Sequence, residues 1–184
     1  MTAPTNTIDR ISEVRLFAFD VDGVLTDGGI YLGTGGFEMK RFNAQDGAGI
    51  AVAKRSGYPV IIITGRESEA VARRCEELKI QHLYQGVKDK VALFEEVIGE
   101  LGYEPRQALY MGDDLPDLPL LRRVGLATCP QNAVQEVKED CQFIARNSGG
   151  NGAVREVIEM VMRNQGRWGE AVQEYFAERV KLDQ

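Results

Sequence analysis

Residues 14–27 read VRLFAFDVDGVLTD. Positions 14–19 are a near-continuous apolar run that stops at an acidic turn. A run of this kind suits a β-strand covered on both faces, because a strand with one wet face would alternate. Asp20 then stands at the strand's carboxyl end, and Gly23 permits the turn beyond it. The pattern recurs at 58–63 (YPVIII), which ends at Thr64-Gly65-Arg66, and at 107–111 (QALYM), which ends at Gly112-Asp113-Asp114. Shorter strands are predicted at 82–84 and 125–128. Helical patterns lie between them at 47–56, 68–78, 88–101 and 117–124, with another at 153–162. Alternation of strand and helix predicts an α/β fold, a Rossmann-like, doubly wound parallel sheet with right-handed crossovers. In such folds ligands bind beyond the carboxyl ends of the strands.

Two stretches fall outside this alternation. Residues 28–43 (GGIYLGTGGFEMKRFN) place short alternating segments around a glycine-rich turn, which predicts a protruding β-hairpin flap. Residues 163–184 carry Trp168 and Tyr175 among charges and read as a tail or amphipathic helix. At 184 residues the chain is expected to form a single domain over 1–184. The net charge of -6 excludes a general nucleic-acid binder, whose footprint is a basic face. No apolar run approaches the roughly 18 residues of a membrane span, and residues 1–10 lack the features of a signal peptide. Cys75, Cys129 and Cys141 are odd in number and show no CxxC spacing, so they suggest neither a disulfide framework nor a zinc site. A cytoplasmic protein without a membrane partner is expected. Lone His82 reads as a packed or surface residue.

The three longer strands each end in residues suited to chemistry. They deliver Asp20 and Asp22, then Thr64, then Asp113, Asp114 and Asp117 to one edge of the sheet. Gathering so many carboxylates raises their pKa values unless a cation neutralises them. Oxygen-only ligation suits Mg²⁺, whereas zinc would ask for His or Cys. Magnesium is therefore the expected cofactor.

As a set, DVDGVLT at 20–26, IIITGR ending at Arg66, Lys90, and GDDLPD at 112–117 resemble the motifs of the haloacid dehalogenase superfamily of phosphotransferases. The resemblance implies that Asp20 is the nucleophile and a metal ligand. It makes Asp22 the general acid and base, with its backbone carbonyl on the metal. Thr64 would hold phosphoryl oxygens, Lys90 would neutralise the nucleophile and the phosphate, and Asp113 would complete the metal's ligands. Asp114 and Asp117 match secondary acidic positions. A carboxylate can serve as nucleophile, and phosphoryl transfer depends mainly on alignment and charge neutralisation. Many relatives insert a cap domain between these motifs. Here Asp20 to Thr64 spans 44 positions and Thr64 to Lys90 spans 26, which leaves no room for a cap.

The runs at 28–50, at 82–90 (HLYQGVKDK) and at 147–156 (NSGGNGAVRE) are also similar to the family of 3-deoxy-D-manno-octulosonate 8-phosphate phosphatases. That similarity implies a small phosphorylated sugar-acid substrate and a role in lipopolysaccharide biosynthesis. It further implies a homotetramer with hairpins at its centre and tails near neighbouring sites, so that loss of 163–184 alters turnover more than stability. By that pattern Asp22, Asn43, Ala44, Gln45, Asp46, Gly47, Ala51, Arg66, Arg74 and Lys90 border the substrate. Arg66 and Arg74, eight positions apart, are expected on one helix face, reaching a carboxylate or phosphate. Lys40 and Arg41 read as solvated charges on the hairpin. Ala51 stands where some members carry arginine, which keeps nonulosonate 9-phosphates and other sugar phosphates as alternative substrates.

Overall fold

The computed structural model describes residues 6–182; positions 1–5 and 183–184 of the expected domain lie outside the described residues. In chain order the elements are α1 (Thr7–Glu13), β1 (Leu16–Phe19), β2 (Tyr31–Leu32), β3 (Glu38–Met39), α2 (Ala44–Arg55), β4 (Val60–Ile63), α3 (Glu69–Glu77) and β5 (His82–Tyr84). They continue with α4 (Lys90–Glu100), β6 (Ala108–Met111), α5 (Leu118–Leu121), β7 (Leu126–Cys129), α6 (Gln135–Asp140), β8 (Phe143–Ile144), α7 (Ala153–Asn164) and α8 (Trp168–Leu182).

Six of these strands form one sheet in the order β5-β4-β1-β6-β7-β8, and every pairing is parallel. All residues of β1, β4 and β6 are buried. Side chains alternate between two cores. Phe17, Phe19, Ile62 and Met111 meet α2, α3 and α7 on one face, while Leu16, Ala18, Ile61, Ile63 and Tyr110 meet α4, α5 and α6 on the other. The expected fold class is what forms. From β1 the chain steps outward through β4 to β5, then returns to the other side of β1 with β6. Strand order therefore reverses between β1 and β6, the place where a doubly wound sheet opens a crevice for ligand.

The element boundaries that differ have local causes. Helix α2 starts at Ala44, three residues earlier than expected, because the Asn43 side chain accepts the Gln45 amide at 2.7 Å and caps it. The helix expected at 117–124 shortens to α5 after a tight turn at Leu115–Asp117. Elements α1, α6 and β8 were not expected, being seven, six and two residues long. The hairpin forms with only two residues in each strand, Tyr31 opposite Met39 and Leu32 opposite Glu38. Residues 168–182 are helical, and Trp168 and Ala171 enter the core with 6% exposure each. Loss of 163–184, expected to alter turnover or affinity more than stability, therefore also removes two residues from the core. Among the described residues no helix is long and apolar enough to cross a membrane.

Candidate active site

The sheet's central hydrogen bonds fix the backbone of the acidic turn. The Asp20 amide donates to Met111 O at 3.0 Å, so the ends of β1 and β6 are tied side by side. Beyond Asp20 the chain turns at Gly23, whose φ of +79° favours glycine. A Cβ at Gly23 would stand 1.9 Å from Asp113 Oδ2, so glycine also admits that carboxylate. Behind the turn, a Cβ at Gly149 would stand 1.8 Å from Gly23 O, and Asn132 Nδ2 donates to the same carbonyl at 3.2 Å. The loop at 147–152 thus backs the acidic turn.

Asp20, Asp22, Thr64, Lys90, Asp113, Asp114 and Asp117 line one open cavity of about 350 Å³, together with Arg66 and Lys88. Lys90 is the first residue of α4, which Asp89 caps by accepting the Val91 and Ala92 amides. From there its ammonium meets Asp20 Oδ1 at 3.0 Å and Asp117 Oδ1 at 2.7 Å. Burial works to lower the Lys90 pKa, but the carboxylates of Asp20 and Asp117 outweigh it and hold the pKa above the usual lysine value.

Asp117 is 1% exposed, and its oxygens are fully committed. Oδ1 accepts from Lys90 and from the Tyr110 hydroxyl at 2.6 Å; Oδ2 accepts the amides of Asp113 at 2.9 Å and Asp114 at 3.3 Å. It acts as a scaffold that orients Lys90 and the Asp113 loop. Neither this role nor that of Tyr110 was read from the sequence, although the spacing from Asp113 to Asp117 and a tyrosine within an apolar strand carry a signal for it.

One oxygen from each of Asp20, Asp113 and Asp117 lies within 4.8 Å of the others. Burial, then the neighbouring Asp117, pushes the Asp20 pKa up to about 7, with Lys90 only partly opposing. Burial, then Asp20, pushes Asp113 to about 8. One ammonium does not neutralise this cluster. A hard divalent cation on the oxygens of Asp20 and Asp113 would, and the donor set fits Mg²⁺.

Thr64 follows β4 and is 2% exposed. Its Oγ1 accepts the Arg66 amide at 3.4 Å, which leaves the hydroxyl proton free to donate into the cavity. Arg66 precedes α3, which begins at Glu69, so it shares no helix face with Arg74. Its guanidinium instead approaches Asp22 at 3.8 Å and Glu38 at 3.7 Å. Arg74 turns toward α2, donating to Asn43 O at 3.5 Å and Glu77 at 3.1 Å. The Asp46 carboxylate is engaged by the amides of Gly152 at 3.2 Å and Arg155 at 2.8 Å, so it caps α7. Asn43 and Gly47 meet Arg74 in a small groove, and Gln45 faces a separate cavity beside Phe143 and Arg155. Ala44 is an exposed residue of the first turn of α2. Ala51 sits apart with Lys54, Arg55, Glu77 and Lys79, away from the carboxylate cavity. Lys40 is not a solvated charge: its side chain is 1% exposed and its ammonium bonds to Asp22 Oδ1.

The model of the haloacid dehalogenase-like hydrolase family matches residues 82–158. The chain is 42% identical over 166 residues to the 3-deoxy-D-manno-octulosonate 8-phosphate phosphatase of Escherichia coli strain K12, a match covering 90% of this chain and 88% of that one. The crystal structure of the Moraxella catarrhalis 3-deoxy-D-manno-octulosonate 8-phosphate phosphatase, in complex with a magnesium ion, a phosphate ion and a KDO molecule, is similar at a TM-score of 0.88 and 39% identity, covering 91% and 97% of the two chains. That of the Yersinia pestis enzyme is similar at 0.86 and 40%, covering 89% and 88%. With its strand-end carboxylates, its lysine on α4 and this degree of identity, the chain belongs to the 3-deoxy-D-manno-octulosonate 8-phosphate phosphatase family of haloacid dehalogenase-like hydrolases.

Proposed function

We propose that this protein hydrolyses 3-deoxy-D-manno-octulosonate 8-phosphate to 3-deoxy-D-manno-octulosonate and phosphate, through an aspartyl-phosphate on Asp20. The observation that carries the reading is the clustering of Asp20, Asp113 and Asp117 oxygens within 4.8 Å beside the Lys90 ammonium, in a chain of this family. Asp20, Asp113 and the backbone carbonyl of Asp22 would hold Mg²⁺. When bound, the ion supplies the positive charge that keeps Asp20 ionised and offsets the charge on the phosphoryl group.

In the first step an Asp20 oxygen attacks phosphorus and the bond from phosphorus to the sugar oxygen breaks. Asp22 gives that oxygen its proton. In the second step water attacks the aspartyl-phosphate, Asp22 takes the water's proton, and the bond to Asp20 breaks to release phosphate. Lys90 neutralises charge on Asp20 and the moving phosphoryl group, and the Thr64 hydroxyl donates to a phosphoryl oxygen. Arg66 meets the sugar acid from the cavity wall, and the first turn of α2 (Asn43, Ala44, Gln45, Gly47) with Arg74 forms the flanking surface toward which the sugar acid extends, with Asp46 supporting that turn by joining α2 to α7.

The enzyme works as a homotetramer in the cytoplasm, in lipopolysaccharide biosynthesis. Support for assembly comes from the hairpin, where Ile30, Leu32, Phe37 and Met39 are 55%, 77%, 60% and 53% exposed, a local cluster of large apolar side chains of the kind that marks an interaction surface. The test is phosphate release with Mg²⁺ from 3-deoxy-D-manno-octulosonate 8-phosphate, set beside a nine-carbon 2-keto acid 9-phosphate and hexose phosphates. A strong octulosonate preference that vanishes on metal chelation is expected. Equal hydrolysis of all three would refute the substrate assignment, and no release from any would refute the activity.

A further inference from the structure

Around the hairpin's second strand the side chains alternate. Phe37 and Met39 are exposed, whereas the side chains of Glu38 and Lys40 are 20% and 1% exposed and turn toward the acidic turn. The period of a strand accounts for that division. Lys40 Nζ bonds to Asp22 Oδ1 and approaches Glu38 Oε1 at 3.6 Å. The same Glu38 oxygen lies 3.7 Å from Arg66 Nη2 and is buried without a hydrogen bond, held between two cations. Lys40 is the hydrogen-bond partner of the Asp22 side chain among the described residues; Arg66 stands off at 3.8 Å.

We infer that Lys40 is a positioning residue: it fixes the rotamer of Asp22, so that the carboxyl group faces the oxygen leaving the phosphorus. This rests on the acid and base role given to Asp22 above. A short aspartate on a turn has freedom about χ1, and an acid–base group in an enzyme is ordinarily oriented by a third group. Glu38 holds the lysine from its other side. The hairpin thereby reaches into the chemistry of the strand ends, and Lys40 touches Asp22 without touching the reacting atoms.

The test uses the full-length, Mg²⁺-loaded enzyme and compares kcat/KM for three substrates: octulosonate 8-phosphate, a carboxylate-free alkyl sugar phosphate, and p-nitrophenyl phosphate. An alkyl oxygen leaves poorly without a proton, whereas p-nitrophenolate leaves unaided. Lys40→Met should lower kcat/KM on the order of 30-fold for both alkyl phosphates and by less than about threefold for the aryl phosphate. In an Asp22→Asn background the same change should cost less than about twofold, since the two groups act as one. A parallel fall on all three substrates, no fall on any, or a fall confined to the carboxylate-bearing substrate would overturn the inference. Should Lys40→Met fail to fold, as read by thermal melting, Lys40→Gln, with a polar tip on a shorter stem, is judged by the same ratios. If Asp22→Asn itself shows no preference for the aryl leaving group, the acid role of Asp22 fails; if it does and Lys40→Met does not, only the role of Lys40 fails.

Discussion

The two sides of the cavity are built differently. The phosphate side is made of strand ends, with Asp20, Thr64 and Asp113 carried by β1, β4 and β6, and its backbone is tied by sheet hydrogen bonds such as Asp20 N to Met111 O. The side proposed for the sugar acid is made of what the sheet does not hold: a hairpin with two-residue strands and the first turn of α2, both flanking the cavity. Charge follows the same division. Carboxylates are concentrated at the strand ends, while Lys40 and Arg66 sit at the hairpin's root. In the proposed reading a rigid sheet fixes the chemistry common to all phosphomonoesters, and the insertions are left to select the alcohol.

That contrast can be broken most severely from the strand ends. Asp20→Asn should remove at least about 10³-fold of turnover on any phosphomonoester, measured as phosphate release, while melting and assembly stay close to wild type. Asp117→Asn should lower kcat about 100-fold and stability by about 2 kcal/mol, because asparagine keeps one acceptor oxygen and turns an NH2 donor toward either Lys90 and Tyr110 or the two loop amides, one set of which loses its buried acceptor. Chemical denaturation with parallel kinetics checks both halves of that claim. The carboxylates also predict a pH dependence of the metal-free protein. With Asp20 and Asp113 raised to about 7 and about 8, the folded state binds more protons than the unfolded state above the ordinary carboxylate range. Stability then falls as pH rises through those values. The metal-free protein should melt about 5 °C lower near pH 8.5 than near pH 6, and Mg²⁺ should raise the melting temperature more at the higher pH.

The hairpin side should respond differently. Leu32→Glu combined with Phe37→Glu should reduce the mass seen in light scattering and raise KM for the sugar acid by about fivefold, with p-nitrophenyl phosphate affected by less than about twofold. The smallest effect is expected from Ala51→Arg, which stands away from the carboxylate cavity: a change below about threefold in kcat/KM for octulosonate 8-phosphate. A larger one would mean that a neighbouring copy brings position 51 into the sugar site.

The sequence was readable where local pattern and tertiary role agree. Apolar runs ending in DVDG, TGR and GDD declare both a strand and what its end presents, so the sheet and its carboxylates were legible. Asp46 was assigned to the substrate, yet it caps α7, whose first residue lies 107 positions later in the chain. No local signal reports a cap supplied from so far away. Lys40 was read as a surface charge because two-residue strands give too few alternations to show which face is inward. Arg66 was placed on the α3 face by spacing alone, and the helix begins only after Ser68. Trp168 was read as part of a tail, although it packs into the core with Arg155 stacked 4.6 Å above its ring.

Gly149 presses on the Gly23 carbonyl, and Gly150 N donates to Val24 O at 3.0 Å. The acidic turn after β1 is thus clamped by residues made 126 positions after it. On a ribosome adding about 5–20 residues per second, roughly 10 s separate the synthesis of Gly23 from that of its clamp. For the first part of that interval the acidic turn has neither the β6 strand beside it nor the loop behind it, and the site is complete only as the last fifth of the chain emerges.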